Sequence, residues 1–550
     1  MKEREFNLLD EPWVRVMRPD CTVEEVSLPE ALLNAHGYVD LAGEMPTQDA
    51  AVLRVLLALL FAVFTRVDAE GCEAPLVRPK DAIVRWRTLW ESGCLPEKPL
   101  RDYFARWHDR FWLFDPDHPF FQVPDKAWKR IVKKDGKAEE VGTAGDVAKL
   151  NGELLESNNK LRLFKTVAGA EGLTYAQATR WLISLIAYDD TSAKATKDLP
   201  EGQKYPSPGV GWLGRLGYIQ AQGKTLFETL LLNLTLLKDG KTLWGGAALP
   251  EDAYLSLPCW ELDRPRDRER TEVPLPKTFA ALYTVQSRRI RLSRQGDRVG
   301  GYLLLGGDFF AKEDAFVEQM TLWRNANAGK KNLPPSFVPS QHDTSKQFWR
   351  EFPTAFVPAD KEGEHRPGVV SWVATLHNQK CLDQETLVHF AVCAMGYGDK
   401  YFFVKDTFED GLAFHAALLD ATGDVRERIV AEIELCEQAA RAVGNLARDL
   451  AAAAGGEADG ASARDQFYFR VDRPFRQWLE ALDPAGDVGK AIDEWRETVQ
   501  DLAVALGNEL ALAAGPAAFV GRMGKKVHLS TPEALRLFRG AIRKIYTKGA

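Results

Sequence analysis

Apolar residues are distributed in two regimes along the chain. Up to about residue 407, short alternating runs change places with amphipathic ones; beyond Phe408, apolar positions recur every three or four residues over long windows. Residues 6–16 (Phe-Asn-Leu-Leu-Asp-Glu-Pro-Trp-Val-Arg-Val) predict a turn running into a strand, with residues 22–26 returning as its partner. Residues 50–64 are apolar except for Arg54, fall short of the roughly 20 residues that cross a bilayer, and predict a buried helix with Thr47 as N-cap. Tryptophans 86, 90, 107 and 112 lie among arginines in a helical pattern and predict inter-helix packing. Helices are expected over 173–188, 226–237 and 384–395, with extended chain over 369–376. Gln286-Ser-Arg-Arg-Ile-Arg-Leu292 predicts a strand with one basic face, whose arginines suit a phosphate or, more commonly, an internal carboxylate.

The second regime breaks at clear stop signals. Helices are predicted over 424–454, ending at Gly455-Gly456; over 463–482, before Pro484; over 488–514, before Gly515-Pro516; and from Thr531 to about Tyr546. Long amphipathic helices with short connections form an antiparallel four-helix bundle. The fold class is therefore α+β, with a mixed α/β body over 1–407 followed by an all-α bundle over 408–550.

Composition narrows the function. With 550 residues, 45% hydrophobic and 27% charged, the chain is an ordinary globular one of more than one domain. A net charge of −7 argues against a free-standing, non-specific nucleic-acid binder, so any such contact is local or shared with partners. Seven scattered cysteines make no Cys-x-x-Cys pair and predict neither zinc ribbon nor disulfide framework, in keeping with a reducing cytoplasm. The charged start lacks the apolar core of a signal peptide, and no membrane association is expected.

The stretch Met395-Gly-Tyr-Gly-Asp-Lys-Tyr-Phe-Phe-Val-Lys405 joins the two regimes. Its glycines followed by Asp-Lys predict a positive-φ turn presenting aromatic rings and lysines together. An edge hairpin packing three aromatics inward is the default, and a nucleic-acid contact the alternative. The basic run at 126–137 and residues 157–165 default to solvated loops, with a nucleic-acid contact again the alternative. Glycines at 209–217 permit close approach of a backbone or phosphate but make no nucleotide fingerprint, and Tyr218 and Thr235 stand where a P-loop glycine would precede Gly223-Lys-Thr and Gly240-Lys-Thr. His108-Asp109 and His342-Asp343 are the only hints of a metal-dependent hydrolase. No catalytic residue, metal ligand or cofactor site assembles from the sequence, which leaves such a hydrolase, or a protein-only interaction scaffold, as the alternative readings.

Taken in order, Phe6-Asn-Leu-Leu-Asp-Glu-Pro-Trp-Val, His118-Pro-Phe-Phe-Gln, Thr225-Leu-Phe-Glu-Thr-Leu-Leu-Leu-Asn-Leu, Tyr283-Thr-Val-Gln-Ser-Arg-Arg-Ile-Arg-Leu and Met395-Gly-Tyr resemble the CasA family, the large subunit of the type I-E CRISPR Cascade complex, essentially end to end. The resemblance implies a non-enzymatic subunit that reads the protospacer-adjacent motif in duplex DNA, helps open the duplex and offers a docking surface to a helicase-nuclease. Its partners would be the other Cascade subunits, the 5' end of the guide RNA and the target duplex. By position, the family's wedge glutamine falls at or near Tyr401 and its flanking asparagine near Lys400, beside Gly398; a ring can wedge, but base-specific contacts are then in doubt. Lys312 corresponds to the minor-groove lysine, Gly209 and Gly211 to a glycine loop, and Phe164 with Asn159 to the loop touching the guide RNA. The four cysteines of the zinc site found in some members are missing, so no structural zinc is expected.

Overall fold

The computed structural model describes residues 4–547 apart from 125–128, 132–137, 141, 153–171, 192–208, 244–252, 265–272, 331, 358–364, 384, 403, 420–423 and 524–527. The chain divides into two compact units, and the division is not a single cut. The first comprises Met1–Ser345, Pro358–Cys381 and Phe390–Asp410; the second comprises Lys346–Val357, Leu382–His389 and Gly411–Ala550. The expected boundary after residue 407 lies close to Gly411, while two earlier segments also belong to the second unit.

The first unit is built on the helix Pro46–Phe64, whose apolar window is 94% buried. It has the length and composition to cross a membrane, yet here it is a core helix, packed on helices Tyr175–Tyr188, Phe279–Leu282 and Leu226–Asn233. Its N-cap is Met45, with Pro46 in the first turn, so the expected cap Thr47 lies inside the helix and is buried. Strand Val14–Met17 pairs antiparallel with Val23–Val26, as its alternation implied, and on its other side with Asp40–Leu41. Another sheet orders Arg288–Gln295, Arg298–Gly306 and Thr143–Asp146, all antiparallel.

This core contains charge. Arg54 meets Glu318 with two hydrogen bonds of 3.0 and 2.8 Å, both side chains at most 2% exposed. Glu318 also accepts from the Trp212 indole at 2.8 Å and from the Met320 N–H at 3.0 Å. Arg288 and Arg289, expected on a basic sheet face, are fully buried and take the internal option, Arg288 on Asp189 and Arg289 on Asp308.

Two local expectations fail in opposite directions. Residues 369–376, expected to be extended, lie in the helix Gly368–Asn378, because Val369, Trp372, Val373 and Leu376 all face the core at helical spacing. Residues 384–395, read as helix, instead supply most of the strand Leu387–Tyr397: Val388, Phe390 and Val392 are buried while His389 and Ala391 between them are not. The chain after residue 408 is likewise not yet helical, since strand Val404–His415 pairs back on Leu387–Tyr397, which also pairs with Tyr218–Gln222. The helix at 226–237 is shorter than expected, ending at Asn233.

In the second unit, helices Asp424–Ala454, Ala461–Ala481, Val488–Ala513 and Thr531–Thr547 pack on one another. Each contributes an apolar stripe: Ile429, Ile433, Cys436, Ala440 and Val443; Phe467, Val471, Phe475 and Leu479; Val499, Ala503 and Leu506; Ala534, Phe538 and Ile542. A Cβ at Gly507 would run into the Phe538 ring, so glycine sets the closeness of the last two helices. The earlier segment joins this core through Trp349, which stacks on Phe475 at 4.5 Å and donates to Asp472.

Candidate nucleic-acid interface

Strands Leu387–Tyr397 and Val404–His415 form a hairpin whose tip carries the turn Asp399–Tyr401. Positive φ falls not on Gly398, at −75°, but on Lys400 and Tyr401, at 52° and 62°. Left-handed backbone at a non-glycine residue costs on the order of 1 kcal/mol or more, so the surroundings must hold it. The side chains face outward, with Tyr401 44% and Phe402 51% exposed and Lys400 exposed beside them. The default expectation, aromatics packed inward, is overturned for Tyr401 and Phe402.

Three segments distant in sequence hold the tip. Thr191 donates its N–H to the Tyr401 carbonyl at 3.0 Å and its hydroxyl to the Lys400 carbonyl at 2.7 Å. The Tyr401 hydroxyl donates to Gln341 Oε1 at 3.1 Å, and Gln341 Nε2 donates to the Gly214 carbonyl. The ring of Tyr401 lies 5.6 Å from that of Tyr397. The Tyr397 hydroxyl donates to the Tyr188 carbonyl at 2.5 Å, and burial pushes its pKa further above the ordinary phenol value.

Below Tyr188 the Arg288 guanidinium gathers the Asp189 carboxylate and the carbonyls of Asp190, at 2.7 Å, and Gly209, at 2.9 Å. Arg215 shares this floor, hydrogen-bonded to the Val210 carbonyl; burial, and then the charge of Arg288, lower its pKa to about 10. Gly209, at φ 87°, and Gly211 have internal reasons to be glycine. A Cβ on Gly209 would crowd the Arg215 guanidinium, and one on Gly211 would meet the Ala187 carbonyl. The close approach expected of these glycines is thus made to the chain's own groups. Lys312 is exposed, two residues past Phe310, whose ring packs on Trp212 of the same turn region at 4.2 Å.

Phe164 and Asn159 lie outside the described residues, as does most of the basic 126–137 run; of the latter, Lys129–Ile131 pairs with Ala138–Glu140. The histidine–aspartate dipeptides are occupied structurally. His108 sits 2.9 Å from Asp10 with Asp109 on Arg4, and His342 bonds the Tyr218 carbonyl at 2.9 Å while Asp343 caps Ser345. Among the described residues no three His, Cys, Asp or Glu side chains cluster as a metal site. Sequence reasoning missed Thr191, Gln341 and Tyr188, whose partners are 60 to 209 positions away; the only signal was the tip itself, since a strained turn demands holders.

Solved structures define the class of this architecture. Thermobifida fusca Cse1 superposes with a TM-score of 0.81 at 30% identity, covering 98% of each chain. A chain of a CRISPR RNA-guided surveillance complex shares the fold, with a TM-score of 0.66 at 18% identity over 98% of this chain and 99% of that one. Thermus thermophilus CRISPR-associated protein CasA/Cse1 is 26% identical over 560 residues, 95% of this chain and 98% of that protein. The sequence profile of CRISPR-associated protein Cse1 matches residues 7–506, and the chain belongs to this family, the CasA family of large Cascade subunits.

Proposed function

We propose that this subunit reads the protospacer-adjacent motif in duplex DNA, opens the duplex beside it with the hairpin tip, and helps bring a helicase-nuclease to the opened target, without breaking a bond itself. The observation that carries the reading is the exposed Lys400–Tyr401–Phe402 tip, where, alone among the described residues, two successive non-glycine residues take left-handed backbone, held there by Thr191 and Gln341. A ring entering the stack costs a few kcal/mol of unstacking per step. Stacking on the tip returns about 1–3 kcal/mol per base, and guide–target pairing takes over as the strands part. Lys400 supplies a cation for the phosphates beside the ring. Lys312 is assigned to motif capture in the minor groove, whose pattern is degenerate and so admits several motifs. With a net charge of −7, the chain relies on the other Cascade subunits and the guide RNA for much of the positive surface, and its role places it in the cytoplasm. Phe164 with Asn159 is assigned to the 5' end of that RNA.

The test uses Cascade reconstituted with guide RNA and duplexes bearing 2-aminopurine beside varied flanking motifs. Tyr401→Ala is expected to slow strand opening at least about tenfold, the effect of losing stacking worth over 1.4 kcal/mol, with little change in initial capture. Lys312→Ala is expected to weaken capture itself and to reduce its salt dependence. Negligible effects of both substitutions reject the site assignment, and capture indifferent to the flanking motif rejects the function.

A further inference from the structure

The geometry points to Gln341 and Thr191 as positioning residues for the opening step, an inference that rests on the proposed role of the tip. Neither side chain is an aromatic or a cation suited to DNA, and neither is needed to close the hairpin, whose strands pair through their own backbones. What they do is specific to the tip. Thr191 occupies the carbonyls of both left-handed residues, that of Tyr401 with its backbone N–H and that of Lys400 with its hydroxyl. A β-turn whose outward carbonyls are already taken cannot flip either peptide without giving up a bond.

Gln341 acts on the ring. Its amide links the Tyr401 hydroxyl to the carbonyl of Gly214, with the oxygen accepting from one and the nitrogen donating to the other. The side of Gly214 is closed by the Tyr397 hydroxyl, which a Cβ there would strike. The Tyr401 ring is therefore aimed by the 213–215 turn through Gln341 and backed by Tyr397, itself fixed to Tyr188. A half-exposed tyrosine whose hydroxyl is tethered samples fewer rotamers, and a pre-aimed ring needs less ordering when it meets a base pair. Severing the tether leaves the ring in place chemically but lets it wander, which slows opening and spares capture.

The same 2-aminopurine assay separates this inference from the function on which it rests. Tyr401→Phe, which keeps the ring and removes only the donor, and Gln341→Ala are each expected to slow opening about fivefold, the worth of one neutral hydrogen bond. Combined, they should slow it no further than either alone, since both remove the same bond. Thr191→Val should slow opening by a similar factor and Thr191→Ser should restore it. Duplex capture should stay unchanged throughout, and the isolated chain should stay folded, its melting temperature falling by no more than about 2–4 °C. Full additivity of the double variant, capture and opening lost in parallel, or wild-type opening in Gln341→Ala and Thr191→Val overturns the positioning role. If in that last case Tyr401→Ala is still slow, the tip keeps its function and only its holders are misassigned; if Tyr401→Ala also opens DNA normally, both readings fall.

Discussion

The two units bury different chemistry, and the contrast explains what each demands of its sequence. The helical unit is closed by repeating aliphatic and aromatic stripes, so each helix carries its own instructions for which face turns inward. The first unit adds four buried arginines, Arg54, Arg180, Arg288 and Arg289, each answered by a carboxylate from another part of the chain, where the second buries Arg426, on the Leu419 carbonyl, and Glu432, on Arg496. An apolar stripe tolerates a missing partner at the cost of a cavity. A buried cation does not, because the charge left behind cannot be hydrated.

Breaking one of these pairs gives the largest expected effect. Glu318→Ala should destabilise the first unit by about 3–5 kcal/mol in urea unfolding. Replacing the whole pair, Arg54→Met with Glu318→Met, should cost less than that single change, and a double variant worse than Glu318→Ala would erase the contrast. In the bundle, Leu446→Ala, which leaves a hole at a residue 1% exposed, should cost about 2–4 kcal/mol, the ordinary range for a core leucine.

A smaller effect distinguishes the units by pH. Burial pushes the Asp49 carboxyl up to about 7 from 3.8, with Asp40 and Glu44 adding to the rise and the Gly43 N–H and Arg15 opposing it. A carboxyl that holds its proton more tightly when folded stabilises the fold fully below its ordinary pKa and loses that contribution as pH climbs through about 7. The first unit should therefore melt at lower temperature at pH 8 than at pH 5. Asp49→Asn, which keeps an oxygen for the Gly43 N–H, should flatten that slope in calorimetry, and an undiminished slope would assign it elsewhere.

Legibility in the sequence follows the same divide. The helix Asp424–Ala454 has the limits its glycines and periodicity implied, and the other bundle helices differ from expectation by a residue or two at their ends. In the first unit, extension expected over 369–376 and helix expected over 384–395 gave way to the helix Gly368–Asn378 and the strand Leu387–Tyr397, where burial at helical spacing or on alternate sides decided otherwise. Of the candidate interface, the aromatic and lysine-bearing tip was legible because its residues are consecutive. Its supports were not, since nothing near Thr191 or Gln341 announces a partner 209 or 60 positions on. The carboxylate partners of the 286–292 arginines were foreseeable in kind but not in identity.

The helix Pro46–Phe64 has one more consequence, for synthesis rather than for the finished protein. Arg54 emerges 264 residues ahead of the Glu318 that answers it. At roughly 5–20 residues per second a ribosome needs about 13–50 s to cover that distance. Throughout that interval a long apolar segment with one unquenched cation is present on the nascent chain, the kind of transiently exposed surface that makes incomplete chains prone to associate.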